Sequence, residues 1–455
     1  MATAPDSPAP TMGDDDLLRW WAPHALPVTA PPARDVLVTI AGGRIVELEA
    51  KVPRERAVEL GATIHDECVI APGFVNTHAH IEYAAYDALV DGLDFAGWIR
   101  DHIHRKRRLS PEQMRASAVY GATAAAHAGI TCIGDASFSG DAAHALHEVG
   151  LRGRVYLEVF GGVDDEAAGA ALDSVLERLA ALPASELVSH GLSPHAPYTV
   201  GEPLYRRVAA SGLPWMTHLL ESPAELEFYD ARGPLVDNLV EAGFPIPAWS
   251  STPLQQLADV MDERTVVVHL SQATPADLEL VASAGAGLAH CPRSNARLGC
   301  GRLDLEVADR AGVLVGLGTD SPASAGPLDP FAELRCALEV HRTAAQDATW
   351  PSLARLLRMA TLDAAQALGY PDLGSIDVGS CADLVAVRVG ACSDPLAAYV
   401  LGAGPGDVQQ VLVAGTTVAG RDRNSLEQAR ERAGDARSLL ALPVPRTRGA
   451  ASANA

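Results

Sequence analysis

Through the middle of the chain, short apolar runs alternate with stretches whose apolar residues recur at helical spacing. Strands are predicted at 70–77, 130–135, 153–160, 187–193, 214–219, 265–270, 286–290 and 313–319. Each is followed by a helical pattern, the signature of βα units. Several helices mark their own starts: Ser110-Pro111-Glu112-Gln113 reads as a capping box with proline at the first helical position, and Thr274-Pro275-Ala276-Asp277 as a weaker one. Gly312 falls where a helix would hand over to the eighth strand. Eight such units over roughly 280 residues predict a (β/α)8 TIM barrel, an α/β fold whose active site lies at the C-terminal strand ends. A doubly wound sheet is the alternative, but no glycine-rich fingerprint follows the first strand.

The flanks differ. "DVLVTIAGGRIVELEA" is β-rich around Gly42-Gly43, a hairpin signal, and "GSIDVGSCADLVAVRV" and "VQQVLVAGTTVAGRD" share that character near the other end. They predict a small β-sandwich domain built from both termini, at 16–70 and 370–424, around a barrel at 71–369. Residues 1–15 read as a disordered tail, and 425–455 as a C-terminal helix and tail.

Composition narrows the partners. The chain has 455 residues, 48% hydrophobic and 20% charged, with a formal net charge of −22 and only two lysines, Lys51 and Lys106. That balance disfavours nucleic acid and anionic membrane and suits a small molecule. No run approaches a membrane span. Seven cysteines without a CxxC pair give no disulfide framework, which makes a reducing cytoplasm the simplest compartment.

Histidines recur where the strands end. His78 and His80 follow the first, His195 the fourth, His218 the fifth with Glu221 three residues on, His269 the sixth, and Asp320 the eighth. Neutral imidazoles and a carboxylate hold a divalent ion while leaving one position for water. His78, His80, His218 and Asp320 are therefore the expected ligands, and Glu221, His269 and Asp320 the expected proton handlers. Residues i and i+2 face opposite sides of a regular strand, so His78 and His80 can meet one ion only if the chain bends after Asn76. His102 and His104 also spell HxH, but within the basic run "RDHIHRKRRLS", read as a solvated helix face. His290 is open between lining the site and a structural role.

Other chemistries lack their motifs. "HIE" mimics half of the cytidine-deaminase signature, but P-C-x-x-C is absent, as are a nucleophile elbow and a phosphate loop. With no lysine near strand four to bridge two metals, one ion is the better expectation.

"PGFVNTHAH", "THLLES", "VVVHL", "HCPRSNARLG" and "GLGTDS", in this order, resemble the amidohydrolase superfamily in its single-metal deaminase and chlorohydrolase branch. The resemblance implies one divalent ion, Zn2+ with Fe2+ as the alternative, bound by His78, His80, His218 and Asp320, with Glu221 and His269 in the proton network. A homodimer would suit the family. Within the branch, "HIEY", "SPHAPYTV" and "HLLESPAELEF" are most similar to the aminodeoxyfutalosine deaminases of menaquinone biosynthesis, neighbours of the adenosine and S-adenosylhomocysteine deaminases. That resemblance implies deamination of an adenine-containing nucleoside, with His195, Trp98, Phe95 and Tyr83 against the substrate. The loop after His80 lacks the Arg-Gly pair of those relatives, so a guanine or 8-oxoguanine deaminase and an s-triazine chlorohydrolase stay open, with a non-catalytic scaffold further off.

Overall fold

A computed structural model of the chain describes residues 17–86 and 90–444; the tails read from the sequence at 1–15 and beyond 444 lie outside the described residues. The first strands are β1 (Leu18–Ala25), β2 (Ala33–Ala41), β3 (Arg44–Glu49), β4 (Thr63–Ile64) and β5 (Cys68–Pro72). Strands β6 (Phe74–Ala79), β7 (Ile130–Ser137), β8 (Arg152–Val159), β9 (Val188–Pro194), β10 (Trp215–Leu219), β11 (Thr265–His269), β12 (Gly287–His290) and β13 (Leu314–Leu317) follow, then β14 (Leu384–Arg388), β15 (Val408–Val413) and β16 (Thr416–Gly420).

β6 to β13 pair in sequence order, every pair parallel. A parallel bridge between Ala79 and Asp320 brings the last strand back to the first, closing a TIM barrel. Asn76 ties the seam: its Nδ2 donates to Thr319 Oγ1 at 2.7 Å, and its Oδ1 accepts from Thr319 N at 2.9 Å. Inside, Val75, Cys132, Tyr156, Met216, Val266, Val268 and Ala289 fill the barrel below the site. The predicted helix signals hold: Ser110 and Gln113, and Thr274 and Asp277, form reciprocal capping boxes, and Gly312 caps in the left-handed region at φ 78°.

The chain ends build the second sheet, a mixed one in the order β16-β15-β14-β5-β1-β2-β3, with β4 beside β1. Gly42 and Gly43 turn the β2–β3 hairpin at φ 55° and 76°, values that match a primed two-residue turn. Trp20, Val36, Val38, Ile40, Ile70, Leu384 and Leu412 form its core. A buried ion pair, Arg152 Nε to Asp383 Oδ2 at 2.9 Å, joins β8 of the barrel to β14.

Two expectations are corrected. The apolar run 70–77 is not one strand: it divides at Gly73 into β5 of the terminal sheet and β6 of the barrel. A side chain at Gly73 would meet Thr131 at 2.1 Å, so only glycine lets the chain pass between the sheets. The basic run is not a solvated face throughout. In the helix Phe95–Lys106, His102 and Arg105 are buried. Arg105 donates to the carbonyls of Leu440 and Leu442, and Arg108 to that of Leu442 at 2.7 Å, so the arginines satisfy carbonyls left open past the helix Gly434–Leu440.

Candidate metal centre and active-site cavity

The bend that His78 and His80 require is present. The β6–β7 register shifts between Asn76 and Ala79, a bulge that turns both imidazoles to the same side. On β10, His218 donates from Nδ1 to the carbonyl of His195 at 2.7 Å, which leaves its Nε2 with a free lone pair. That Nε2 lies 3.3 Å from Nε2 of His78 and 3.3 Å from Nε2 of His80. Asp320 Oδ1 stands 3.4 Å from His78 Nε2 and 3.7 Å from His80 Nε2. Two groups, His78, His80 and His218, and His78, His269 and Asp320, each place ligand atoms within 4.8 Å of one another. Ring nitrogens this close, buried and uncharged, repel through their lone pairs unless a cation lies among them. The donor set is one that a zinc-like divalent ion takes, so the residues present fit a metal.

Burial sets the protonation. It holds His78 well below the ordinary imidazole value, His80 near 4 and His269 near 3, so all three stay neutral, and His78 and His80 can offer a lone pair to a cation. Burial by itself would raise Asp320, but His78, whose Nε2 lies 3.4 Å from its Oδ1, and the neighbouring imidazoles of His269 and His80 hold its carboxyl well below the usual range. Glu221 goes the other way. Burial, then the charges of Asp320 and Glu225, push it well above a normal carboxylate, the behaviour of a group that takes up a proton readily.

Backbone strain accompanies these side chains: His269 and Asp320, neither of them glycine, have φ of 75° and 56°. Second contacts hold them. Asn295 Nδ2 lies 3.1 Å from His269 Nδ1, and donation there leaves the Nε2 proton facing Glu221 Oε1 at 3.5 Å. Ser294 and Ser324 donate to Asp320 Oδ2. Glu225 accepts from the amides of Leu220 at 2.9 Å and Glu221 at 2.8 Å, and from the Tyr229 hydroxyl, fixing the turn that presents Glu221.

The cavity above this corner has a volume near 730 Å³, within the range of small-molecule sites. Every residue expected against the substrate lies on its wall: Tyr83, Phe95, Trp98 and His195. Trp98 stacks on His102 at 5.4 Å and donates from Nε1 to the carbonyl of Ala323. His195 is oriented by Thr199 Oγ1, 2.8 Å from its Nδ1. His290 sits 3.0 Å from His341, both buried, and is not among the residues that line the cavity.

Sequence reasoning passed over Asn295, Ser294, Ser324, Glu225 and Glu158 and read the run holding His102 and Lys106 as a solvated helix face; His102, Lys106 and Glu158 lie on the cavity wall. Burial lifts the Glu158 carboxyl to about 8, with Lys106 pulling it down. Two of these residues carried a signal: Asn295 lies inside "HCPRSNARLG", and Ser222-Pro223-Ala224-Glu225 spells a capping box.

A closed barrel with three imidazoles and a carboxylate at its C-terminal face defines a hydrolase site of the metal-binding kind. The chain belongs to the Amidohydrolase family, whose model matches residues 69–418. It is 31% identical over 328 residues to a 5-methylthioadenosine/S-adenosylhomocysteine deaminase of Teredinibacter turnerae, covering 70% of this chain and 71% of that one. To an aminodeoxyfutalosine deaminase of Deinococcus radiodurans it is 35% identical over 320 residues, covering 66% and 74%. Among solved structures, a zinc-bound adenosine deaminase from Xanthomonas campestris superposes with a TM-score of 0.79 at 27% identity, over 92% of this chain and 98% of that one. The atrazine chlorohydrolase of Arthrobacter aurescens shares the fold at a TM-score of 0.77 and 22% identity, over 93% and 99%.

Proposed function

We propose that the protein is a metal-dependent hydrolytic deaminase that removes the 6-amino group of an adenine-containing nucleoside. Aminodeoxyfutalosine, the menaquinone precursor, and adenosine or S-adenosylhomocysteine are the leading substrates. The observation that carries this reading is Glu221: a buried, proton-avid carboxyl 3.5 Å from His269, on the wall of an apolar cavity that also holds the metal corner. His78, His80, His218 and Asp320 would hold one ion, zinc before iron. When bound, the ion supplies a Lewis acid that activates water near neutral pH.

The protein's own groups handle the protons. Glu221 takes the proton of the attacking water and delivers it to ring N1, which makes C6 electrophilic. His269, with Asn295 on Nδ1, presents Nε2–H to orient and polarise the oxygen as it adds to C6. The hydroxyl proton of the adduct then passes through Asp320 to the amine, which leaves as ammonia. N1 keeps the first proton in the 6-oxo product. His195 hydrogen-bonds the purine or its sugar, and Tyr83, Phe95 and Trp98 form the apolar wall. The free cysteines and the absence, among described residues, of a helix able to cross a membrane fit action in the cytoplasm.

Ammonia release from adenosine, S-adenosylhomocysteine, aminodeoxyfutalosine, guanine and 8-oxoguanine, with zinc supplied, tests the reading. An adenine nucleoside is expected to win; preference for guanine, or chloride release from an s-triazine, would overturn it. Glu221→Gln is expected to keep the metal and lose at least roughly 100-fold in turnover.

A further inference from the structure

The cavity has a second polar cluster, apart from the metal corner. Glu158, at the C-terminal end of β8, is only 4% exposed and faces the cavity, yet it makes no hydrogen bond to any described residue. Lys106, at the end of the helix Phe95–Lys106, is equally unspent. Its Nζ lies over the Phe138 ring at 3.6 Å and 5.8 Å from the Tyr83 ring, with no hydrogen bond or ion pair to a described residue. Of the other polar groups on that side, Ser139 binds Glu82 and Asp141, Asp141 binds Arg115 at 2.7 Å, and Thr199 binds His195, while Arg107 is exposed.

One donor and one acceptor, too far apart to pair with each other, call for a ligand group that both accepts and donates. An anionic tail would satisfy Lys106 but bring its charge toward the buried Glu82, which already raises Glu158, and would leave the acceptor oxygen of Glu158 unused. A cationic tail would face Lys106. Neighbouring hydroxyls satisfy both, because one oxygen accepts from the ammonium while the next donates to the carbonyl oxygen of the Glu158 carboxyl, which burial keeps largely protonated near neutral pH. We propose that Lys106 and Glu158 form a subsite for a vicinal diol, the 2′- and 3′-hydroxyls of the nucleoside sugar. This deepens the nucleoside reading above and rests on it. The apolar faces of Phe138 and Phe160, both on the cavity wall, border the same space and would pack against the carbon face of the sugar.

Steady-state deamination of adenosine, 2′-deoxyadenosine and 3′-deoxyadenosine by the zinc-loaded full chain tests it. The wild type is expected to lose roughly 10- to 100-fold in kcat/KM when either hydroxyl is removed, chiefly through KM. Glu158→Met and Lys106→Met are each expected to lose a similar factor on adenosine and to treat the deoxynucleosides nearly as well as adenosine. Equal use of all three substrates by the wild type overturns the proposal, and this comparison needs no variant to fold. Variants that keep the wild-type discrimination also overturn it. If the wild type deaminates adenosine with that discrimination lacking, the diol subsite fails while the nucleoside reading stands; if it deaminates no nucleoside, both fall.

Discussion

At Glu225 one side chain accepts from two buried amides and a tyrosine hydroxyl, and the turn it fixes carries Glu221. Leu220 sits at φ 50°, a conformation the chain holds only because those bonds over-determine it. Glu225→Ala leaves the Leu220 and Glu221 amides buried without acceptors. Each such loss costs about 1–3 kcal/mol, so a stability loss on the order of 3 kcal/mol is expected, with turnover falling as Glu221 shifts. Glu225→Gln, which keeps one carbonyl acceptor, is expected to recover part of both. Denaturant unfolding of the zinc-loaded proteins reads the effect, and an unchanged midpoint in the alanine variant would sink the argument. Histidine and aspartate at strand ends were legible in the sequence because few residue types bind a divalent ion. Glu225, Asn295 and Glu158 were not, because their roles depend on partners distant in sequence or on a cavity that only packing creates. Asn295 meets His269 across 26 residues, so although it lies inside the motif "HCPRSNARLG" its partner is not readable from the motif.

Among the elements, β13 is the one with least room. A side chain at Gly316 would meet Thr77 Oγ1 at 2.2 Å and Ala364 Cα at 2.8 Å, so the "GLG" of "GLGTDS" lets the last strand close onto the first. Thr77 directly precedes His78. Gly316→Ala is therefore expected to cost about 1–3 kcal/mol by overpacking and to weaken metal retention as β6 is displaced. Adding Thr77→Ala should relieve part of the cost, since the two changes share one contact. Melting temperature and zinc content per chain after gel filtration measure both effects; full zinc occupancy with an unchanged melt would show that the strand absorbs the methyl. All eight barrel strands were readable as apolar runs because parallel strands covered on both faces carry no polar alternation. The same property hid the break at Gly73. β5 and β6 are buried at every position, so no change of pattern marks where one sheet ends and the next begins.

Across the whole molecule, the proposed ligands come from opposite ends of the barrel sequence: His78 and His80 from the first strand and just beyond it, His218 from the fifth, and Asp320 from just after the eighth. Asp320 also donates its backbone N–H to the His78 carbonyl at 3.0 Å, at the seam where the barrel closes. An ion held by these residues is thus a clasp on the closure of the barrel as well as a catalytic group. Without it, neutral imidazoles are left 3.3 Å apart with lone pairs opposed. Because the folded chain binds the ion and the unfolded chain lacks the assembled site, stability should rise with free zinc as RT ln(1 + [L]/Kd), about 2.7 kcal/mol at a hundredfold excess over Kd. Chelation is expected to lower the melting temperature by a few degrees, and returning zinc to restore it in a concentration-dependent way. His78→Ala should melt low and ignore both chelator and zinc. A wild type whose melt does not respond to chelation, or a His78→Ala variant that responds as the wild type does, would separate the histidine cluster from metal binding and return it to a purely structural role.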